Sequence, residues 1–313
     1  MTRSSEGFQT ELTDVFSGTW QFAGLDQDLG RKGDFVAQRI AGLPVVVVKV
    51  DEGLKAYLNI CPHRAGPLVS DEKGRCKSGF ICRAHNWRFT LDGVLESAPD
   101  YEALSSFSAQ NLALSEIEVD VWRGLLFVRI QKGVGPDLRE QMAAVHDHAL
   151  FPSDRPARID DVHQVACDWK LYARTYLNSS PINGKFDQHG PVAHYVGPPR
   201  DGRERVHWIY VWPNLALTLF QGVLQVEVIR PIAPGRTEIR HHFLHLPEDP
   251  SVEAAIVESE HATHVRTEIC EAMQANMATG HFRSLTYFDQ VEPGVAWFDS
   301  QFASATTQHF HSD

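Results

Sequence analysis

Residues 59–87 read NICPHRAGPLVSDEKGRCKSGFICRAHNW, and two short motifs inside this stretch decide the reading of the chain. The first is Cys61-x-His63. The second, after eighteen intervening residues, is Cys82-x-x-His85. Two cysteines and two histidines in paired, turn-like segments form a metal site, because thiolates hold soft or borderline metals and imidazoles complete the shell. Two arrangements compete. Zinc would take the four ligands as a closed tetrahedron, but zinc motifs space each pair by two or more residues, and a single residue between Cys61 and His63 is tight. A [2Fe–2S] cluster with two Cys on one iron and two His on the other draws one ligand of each kind from each loop. The spacing fits that division better.

The chain has 313 residues, room for about two domains. Apolar residues make up 43% and charged residues 22%, the balance of a soluble globular protein. No apolar run approaches the ~20 residues of a membrane span, and MTRSSEGFQT lacks the apolar core of a signal peptide. The expectation is a cytoplasmic protein with no membrane partner. A net charge of −11 without a basic stripe argues against nucleic-acid binding. The five cysteines, at 61, 76, 82, 167 and 270, are odd in number and scattered, which argues against a disulfide framework. Cys76, Cys167 and Cys270 read as loop or core thiols.

Hydrophobic patterning divides the chain. Val45–Val48 is a β-branched run bounded by Gly42, Pro44, Asp51 and Gly53, the mark of a buried strand. RFTLDGVLESAP reads as a hairpin about Asp92-Gly93, and LSEIEVDVWRGLLFVRI supplies two more strands. These observations place a first domain over 14–130. QKGVGPD (131–137) is a linker by composition, followed by a helix to about Leu150, so that 131–155 connects the domains. A second domain occupies 156–313. There RIDDVHQVACDWKLYARTYLNS starts as a strand and becomes a helix near Asp168. Four strands follow, with turns at Pro213-Asn214, Gln221-Gly222 and Pro234-Gly235. A long helix begins after Ser251 as N-cap, and a final helix is expected over 288–303. A multi-stranded sheet with long helices on one side is α+β. On a strand His241 and His245 share a face and His242 points away. These three read as surface or pocket-lining residues, not ligands. Trp208, Tyr210, Trp212 and Phe220 read chiefly as core.

The paired-ligand stretch, with AYLNICPHRAGPLV before it and Trp87-RFTLDG after it, resembles the Rieske motif. The resemblance implies an all-β Rieske [2Fe–2S] domain, with Cys61 and Cys82 on the inner iron and His63 and His85 on the outer one. The family's C-P-[YF]-H-G-W is here Cys82-Arg83-Ala84-His85-Asn86-Trp87. That departure changes the packing and hydrogen bonds that tune a cluster.

Most of the chain is similar to the oxygenase alpha subunit of Rieske non-haem iron oxygenases of the aromatic-ring-hydroxylating type. This implies a helix-grip-like antiparallel-sheet catalytic domain holding a mononuclear Fe(II). Two His and a carboxylate on one face of iron make the facial triad of such oxygenases. In NGKFDQHGPVAH (183–194), His189 and His194 match the family's histidine pair. Asp187, one residue closer than the family motif places it, would bridge to a neighbouring subunit's cluster. The third ligand would be an acid near the last helix. Glu292 in YFDQVEPGVAWFDSQ is the choice, with Asp289 and Asp299 as alternatives. The lead-in helix carries Arg174 and Thr175 where the family has an acid and an Asn.

No Gly-rich dinucleotide fingerprint occurs in the chain. The resemblance therefore implies electrons from NAD(P)H through a separate reductase, with or without a ferredoxin, and a homotrimer or heterohexamer. The expected reaction is O2-dependent hydroxylation, dihydroxylation or demethylation of a small organic, aromatic substrate. The three candidates for the third ligand and the altered lead-in helix leave an alternative, a non-catalytic Rieske partner subunit relaying electrons beside a catalytic paralogue.

Overall fold

The computed structural model describes residues 5–99, 101, 112–145, 157–178, 185–197, 205–220, 222–245, 252–282 and 290–307. The chain forms two compact units. One is Ser17–Leu138, and the other joins Met1–Phe16 to Arg139–Asp313.

The first unit is all β. Its main sheet is built from β1 (Gln21–Leu25), β2 (Asp34–Ile40), β3 (Leu43–Val50), β4 (Gly53–Leu58), β5 (Lys73–Arg75), β9 (Glu116–Trp122) and β10 (Leu125–Arg129). Its order is β1-β10-β9-β4-β3-β2-β5. A smaller sheet holds β6 (Phe80–Ile81), β7 (Arg88–Phe89) and β8 (Leu95–Ser97). The valine run in β3 is apolar at every position because both of its faces are covered. Val46 and Val48 join a cluster with Tyr57, Phe80, Trp87 and Phe89. Val45 and Val47 join another with Val36, Leu126 and Val128. The expected hairpin turn is present, with Gly93 at φ 81° and its N–H donating to the Thr90 carbonyl at 3.0 Å. Gly79, just before β6, has φ 112°, and a Cβ there would meet the Phe89 carbonyl oxygen at 2.2 Å.

The second unit opens with α1 (Ser5–Phe16). This N-terminal helix packs in the second unit, where buried Glu11 accepts from Trp169 Nε1 at 2.6 Å and from Lys170 Nζ at 2.7 Å. After the short helix α2 (Leu138–Gln141) comes a seven-stranded antiparallel sheet of order β11-β17-β16-β15-β14-β13-β12. Its strands are β11 (Ala157–Val165), β12 (Lys185–His189), β13 (Val192–Val196), β14 (His207–Val211), β15 (Leu215–Phe220), β16 (Val223–Ala233) and β17 (Arg236–His245). Three helices complete it, α3 (Trp169–Asn178), α4 (Val252–Ala278) and α5 (Pro293–Thr307). The strand-to-helix switch falls where the sequence places it, with Asp168 Oδ1 capping Lys170 N–H at 3.0 Å. The last helix starts later than expected. Pro293 takes its first position, and the Glu292 carbonyl accepts from Val295 and Ala296. Ser251 and Asp289 lie outside the described residues.

Strand alternation assigns the sheet's faces. Tyr210, Glu227 and His241 lie on the face covered by the helices, shown by Tyr210 against Phe298 at 6.1 Å and by the Tyr172 hydroxyl donating to Glu227 at 2.9 Å. Glu227 is buried as deeply as Glu11, each 1% exposed. Arg266 Nη1 of α4 stands 3.3 Å from its Oε1, and Gln225 Nε2 donates to Oε2 at 3.2 Å. Ser259 in turn donates to Gln225 at 2.7 Å. Burial alone would raise the Glu227 carboxyl. The Arg266 guanidinium, helped by His241 and the Tyr172 hydroxyl, outweighs burial and holds it down to about 2.

Two expectations follow. Gly79→Ala combines a left-handed backbone with a backbone clash, so it should cost about 2–4 kcal/mol in denaturant unfolding. A loss under about 0.5 kcal/mol would mean the turn relaxes. Glu227 has its folded value below the unfolded one. Its contribution, about 3 kcal/mol, is therefore complete above pH ~5 and is lost as the pH falls from about 4.5 towards 2. Glu227→Gln should flatten this acid limb. It should also destabilise at pH 7 by about 3–5 kcal/mol, because Arg266 is left buried without its anion.

Candidate metal and substrate site

The two ligand motifs fold into near-identical turns. In the first, the Cys61 carbonyl accepts from Ala65 N–H at 2.9 Å and Cys61 N–H donates to the Gly66 carbonyl at 2.8 Å. In the second, the Cys82 carbonyl accepts from Asn86 N–H at 2.9 Å and Cys82 N–H donates to the Trp87 carbonyl at 2.9 Å. Each turn closes on a left-handed residue, Ala65 at φ 58° and Asn86 at φ 56°. This explains the departure at position 86. The turn needs positive φ, which Gly adopts freely, and Asn tolerates it better than most other residues.

The turns pack so closely that a Cβ on Gly66 would sit 3.0 Å from Cys82 Sγ. Both cysteines are buried, at 1% and 2% exposure, while both histidines are part-exposed. The His63 and His85 rings lie 4.4 Å apart. His63 stacks on Trp87 at 4.5 Å and 7°, and Tyr101 meets it edge-on at 4.9 Å. Asn59 anchors the first turn from behind, donating to the Val69 carbonyl and accepting from Leu68 and Val69 N–H. Asn59 and Tyr101 were not singled out from the sequence, since neither belongs to a ligand motif.

The donor set fits a two-iron cluster. The cysteines converge within the domain and the histidines at its surface. His85 Nδ1 is buried without a hydrogen-bond partner among the described residues, as suits a ligand atom. No three of the four donor atoms lie within 4.8 Å of one another. Around a single tetrahedral zinc they would lie roughly 3.3–3.8 Å apart. Burial, then the neighbouring Cys82 thiol, pushes the Cys61 thiol up. Loss of water, then His85 and Arg64, pulls His63 down.

In the second unit, Asp187, His189 and His194 lie on the β12–β13 hairpin. Asp187 pairs with His194 in register, and His189 Nε2 stands 3.5 Å from Asp187 Oδ2. Alternation puts all three on one face of the sheet. Tyr195, on the other face, accepts from Gly294 N–H of α5 at 2.9 Å. The helix that follows Glu292 therefore packs on the face away from the histidines. His194 Nε2 meets His207 Nδ1 at 3.2 Å. Asp299 holds Arg174 at 2.6 Å. Among the described residues, Asp187, His189, His194 and Glu292 do not converge on one point.

A cavity of about 280 Å³ opens on the helix-covered face between the sheet, α3 and α4. Its lining includes Tyr176, Trp208, Phe220, Glu227, Glu258 and Arg266. Trp208 and Phe220 are thus wall residues, while Tyr210 and Trp212 are core. The one sequence signal for the buried charge was an acid within the apolar strand VLQVEVI.

Comparison with known proteins agrees with this architecture. Residues 19–108 match the Rieske [2Fe–2S] domain, and residues 144–308 match the ring hydroxylating alpha subunit, catalytic domain. The carnitine monooxygenase oxygenase subunit of Acinetobacter baumannii is 28% identical over 202 residues, covering 64% of this chain and 51% of that protein. The chain thus spans about half the length of that relative. The chloroplastic choline monooxygenase of Spinacia oleracea is 23% identical over 330 residues, covering 93% of this chain and 74% of that protein. Among solved structures, a quaternary ammonium Rieske monooxygenase, described for carnitine oxidation and inter-subunit electron transfer, superposes with a TM-score of 0.81 at 20% identity. It covers 97% of this chain and 92% of that one. Naphthalene 1,2-dioxygenase superposes with a TM-score of 0.73 at 19% identity, covering 97% and 93%. At these identities the structural likeness is one of fold. With a Rieske domain on paired cysteine–histidine turns, followed by the matching α+β domain, the chain belongs to the family of ring-hydroxylating oxygenase alpha subunits.

Proposed function

We propose that the chain is the oxygenase component of a Rieske monooxygenase that uses O2 to hydroxylate or demethylate a quaternary ammonium substrate. Its electrons come from a separate NAD(P)H-dependent reductase, directly or through a ferredoxin. The observation that carries this reading is the cavity on the helix side of the sheet, with aromatic rings and carboxylates in its lining. It lies in the same chain as the paired ligand turns. A quaternary ammonium ion is charged at every pH and donates no N–H, so its recognition rests on aromatic faces and nearby anions. Trp208, Phe220 and Glu258 offer these, while the Glu227 charge is engaged by Arg266. The ammonium class replaces the aromatic one expected from the family resemblance, because the curated relatives are named for carnitine and choline.

Cys61 and Cys82 would hold the inner iron of the cluster, and His63 and His85 the outer one. When bound, such a cluster accepts and delivers single electrons. The chain's own residues set the path. The buried cysteines face the core, and the part-exposed histidines form the edge at which a donor or a neighbouring subunit would be met. Trp87 and Tyr101 fix the His63 ring plane at that edge. A homotrimer or heterohexamer in the cytoplasm completes the proposal.

His189, His194 and Glu292 would hold a mononuclear Fe(II), with Asp187 as the bridge to a neighbouring subunit's cluster. The histidines and the helix after Glu292 occupy opposite faces of the sheet. That placement favours a second reading, an electron-relaying partner beside a catalytic paralogue.

Turnover with choline or carnitine, NADH and a reductase separates the two. The first reading expects O2 uptake matched to substrate loss. It also expects Trp208→Ala to lower kcat/KM about tenfold, the worth of ~1–2 kcal/mol for a desolvated cation–π contact. A cluster that reduces normally but supports no substrate-dependent O2 uptake would reject it in favour of the relay.

A further inference from the structure

Outside the two sites above, Asp161, His163 and His241 bring three potential ligand atoms within 4.8 Å of one another, the one such group among the described residues. We propose that these side chains form a separate binding site for a divalent first-row metal ion, with Zn2+ or Fe2+ as the fitting occupants. Two imidazoles and one carboxylate suit such ions.

The site follows from sheet register. Asp161 on the edge strand β11 pairs directly with His241 on β17. His163, two residues along β11, shares their face. Three atoms no more than 4.8 Å apart have a common point within about 2.8 Å of each. Metal–ligand distances near 2.0–2.2 Å are therefore reached by side-chain shifts of well under an ångström.

The second observation is the state of His241. It is fully buried, and neither ring nitrogen has a hydrogen-bond partner among the described residues. A buried imidazole without partners is costly unless something else occupies its lone pair. Its Nε2 faces Glu227, 3.4 Å from Oε2, which leaves Nδ1 for a metal ion and places Glu227 where a carboxylate would steady a ligating imidazole. His163 repeats the pattern. Its Nε2 is 2.6 Å from Asp161 Oδ2, yet in a geometry that forms no hydrogen bond. Asp161 and His163 are 35% and 32% exposed, so an ion can enter at the sheet edge.

The test is calorimetric Zn2+ titration of cluster-loaded protein, repeated with Co2+ to read the ligand field by absorbance. Wild type should bind Zn2+ at this site. Asp161→Asn and His163→Ala should each weaken it by more than about 100-fold, beyond what loss of an outer-shell partner does. Both positions are part-exposed, and an unchanged cluster spectrum and melting temperature without zinc will show that the variants fold. His189→Ala should leave the binding intact. Absence of zinc binding in wild type, or its survival in both variants, would overturn the site. So would its loss in His189→Ala alone, which would move the ion to the hairpin histidines.

Discussion

The structure depends first on a pair of cysteine-anchored turns. In each, the Cys carbonyl receives a hydrogen bond from the residue four positions on, and that residue must be left-handed. This geometry buries the sulfur and leaves the histidine at the surface. With the turns apposed, sulfurs meet sulfurs inside and imidazoles meet imidazoles outside. The β3 valines and the small sheet hold the turns in place, and Gly66 marks how closely they approach. A cluster held there would have chemically different ends, and its histidine end would be the part-exposed one.

The second unit answers a different constraint, a carboxylate inside an apolar sheet. Glu227 stays ionised there because Arg266, Tyr172, Gln225 and His241 surround it. Glu227, Gln225 and Arg266 line one wall of the cavity, and with Tyr172 they stitch α3 and α4 to the sheet. Stability and cavity shape are therefore coupled. A change that loosens Arg266 disturbs the wall against which a substrate would rest.

The first unit was largely legible in the sequence because its site is local. Cys61-x-His63 and Cys82-x-x-His85 each lie within one turn, so spacing carries the geometry. The strands were legible for the same reason, as the Val45–Val48 run shows. In the second unit the switch at Asp168, the four strands β14 to β17 and the helices after them could be read, but α1, the β12–β13 hairpin and the site could not. His189 and His194 have the family's spacing. They fall on a hairpin, however, where alternation and not spacing decides which way a side chain points. Glu227 and His241 were obscure because their roles come from register between distant strands and from a helix residue, Arg266, that no motif marks. His241 was expected at a surface or pocket wall. Its pairing opposite Asp161, under the helices, buries it completely.

The most direct measurement is acid-labile sulfide and metal content per chain after anaerobic purification. The account predicts about two sulfides with at least about two irons, the composition of a [2Fe–2S] centre. A colourless protein with one tightly held zinc in place of iron, and no sulfide, would contradict it.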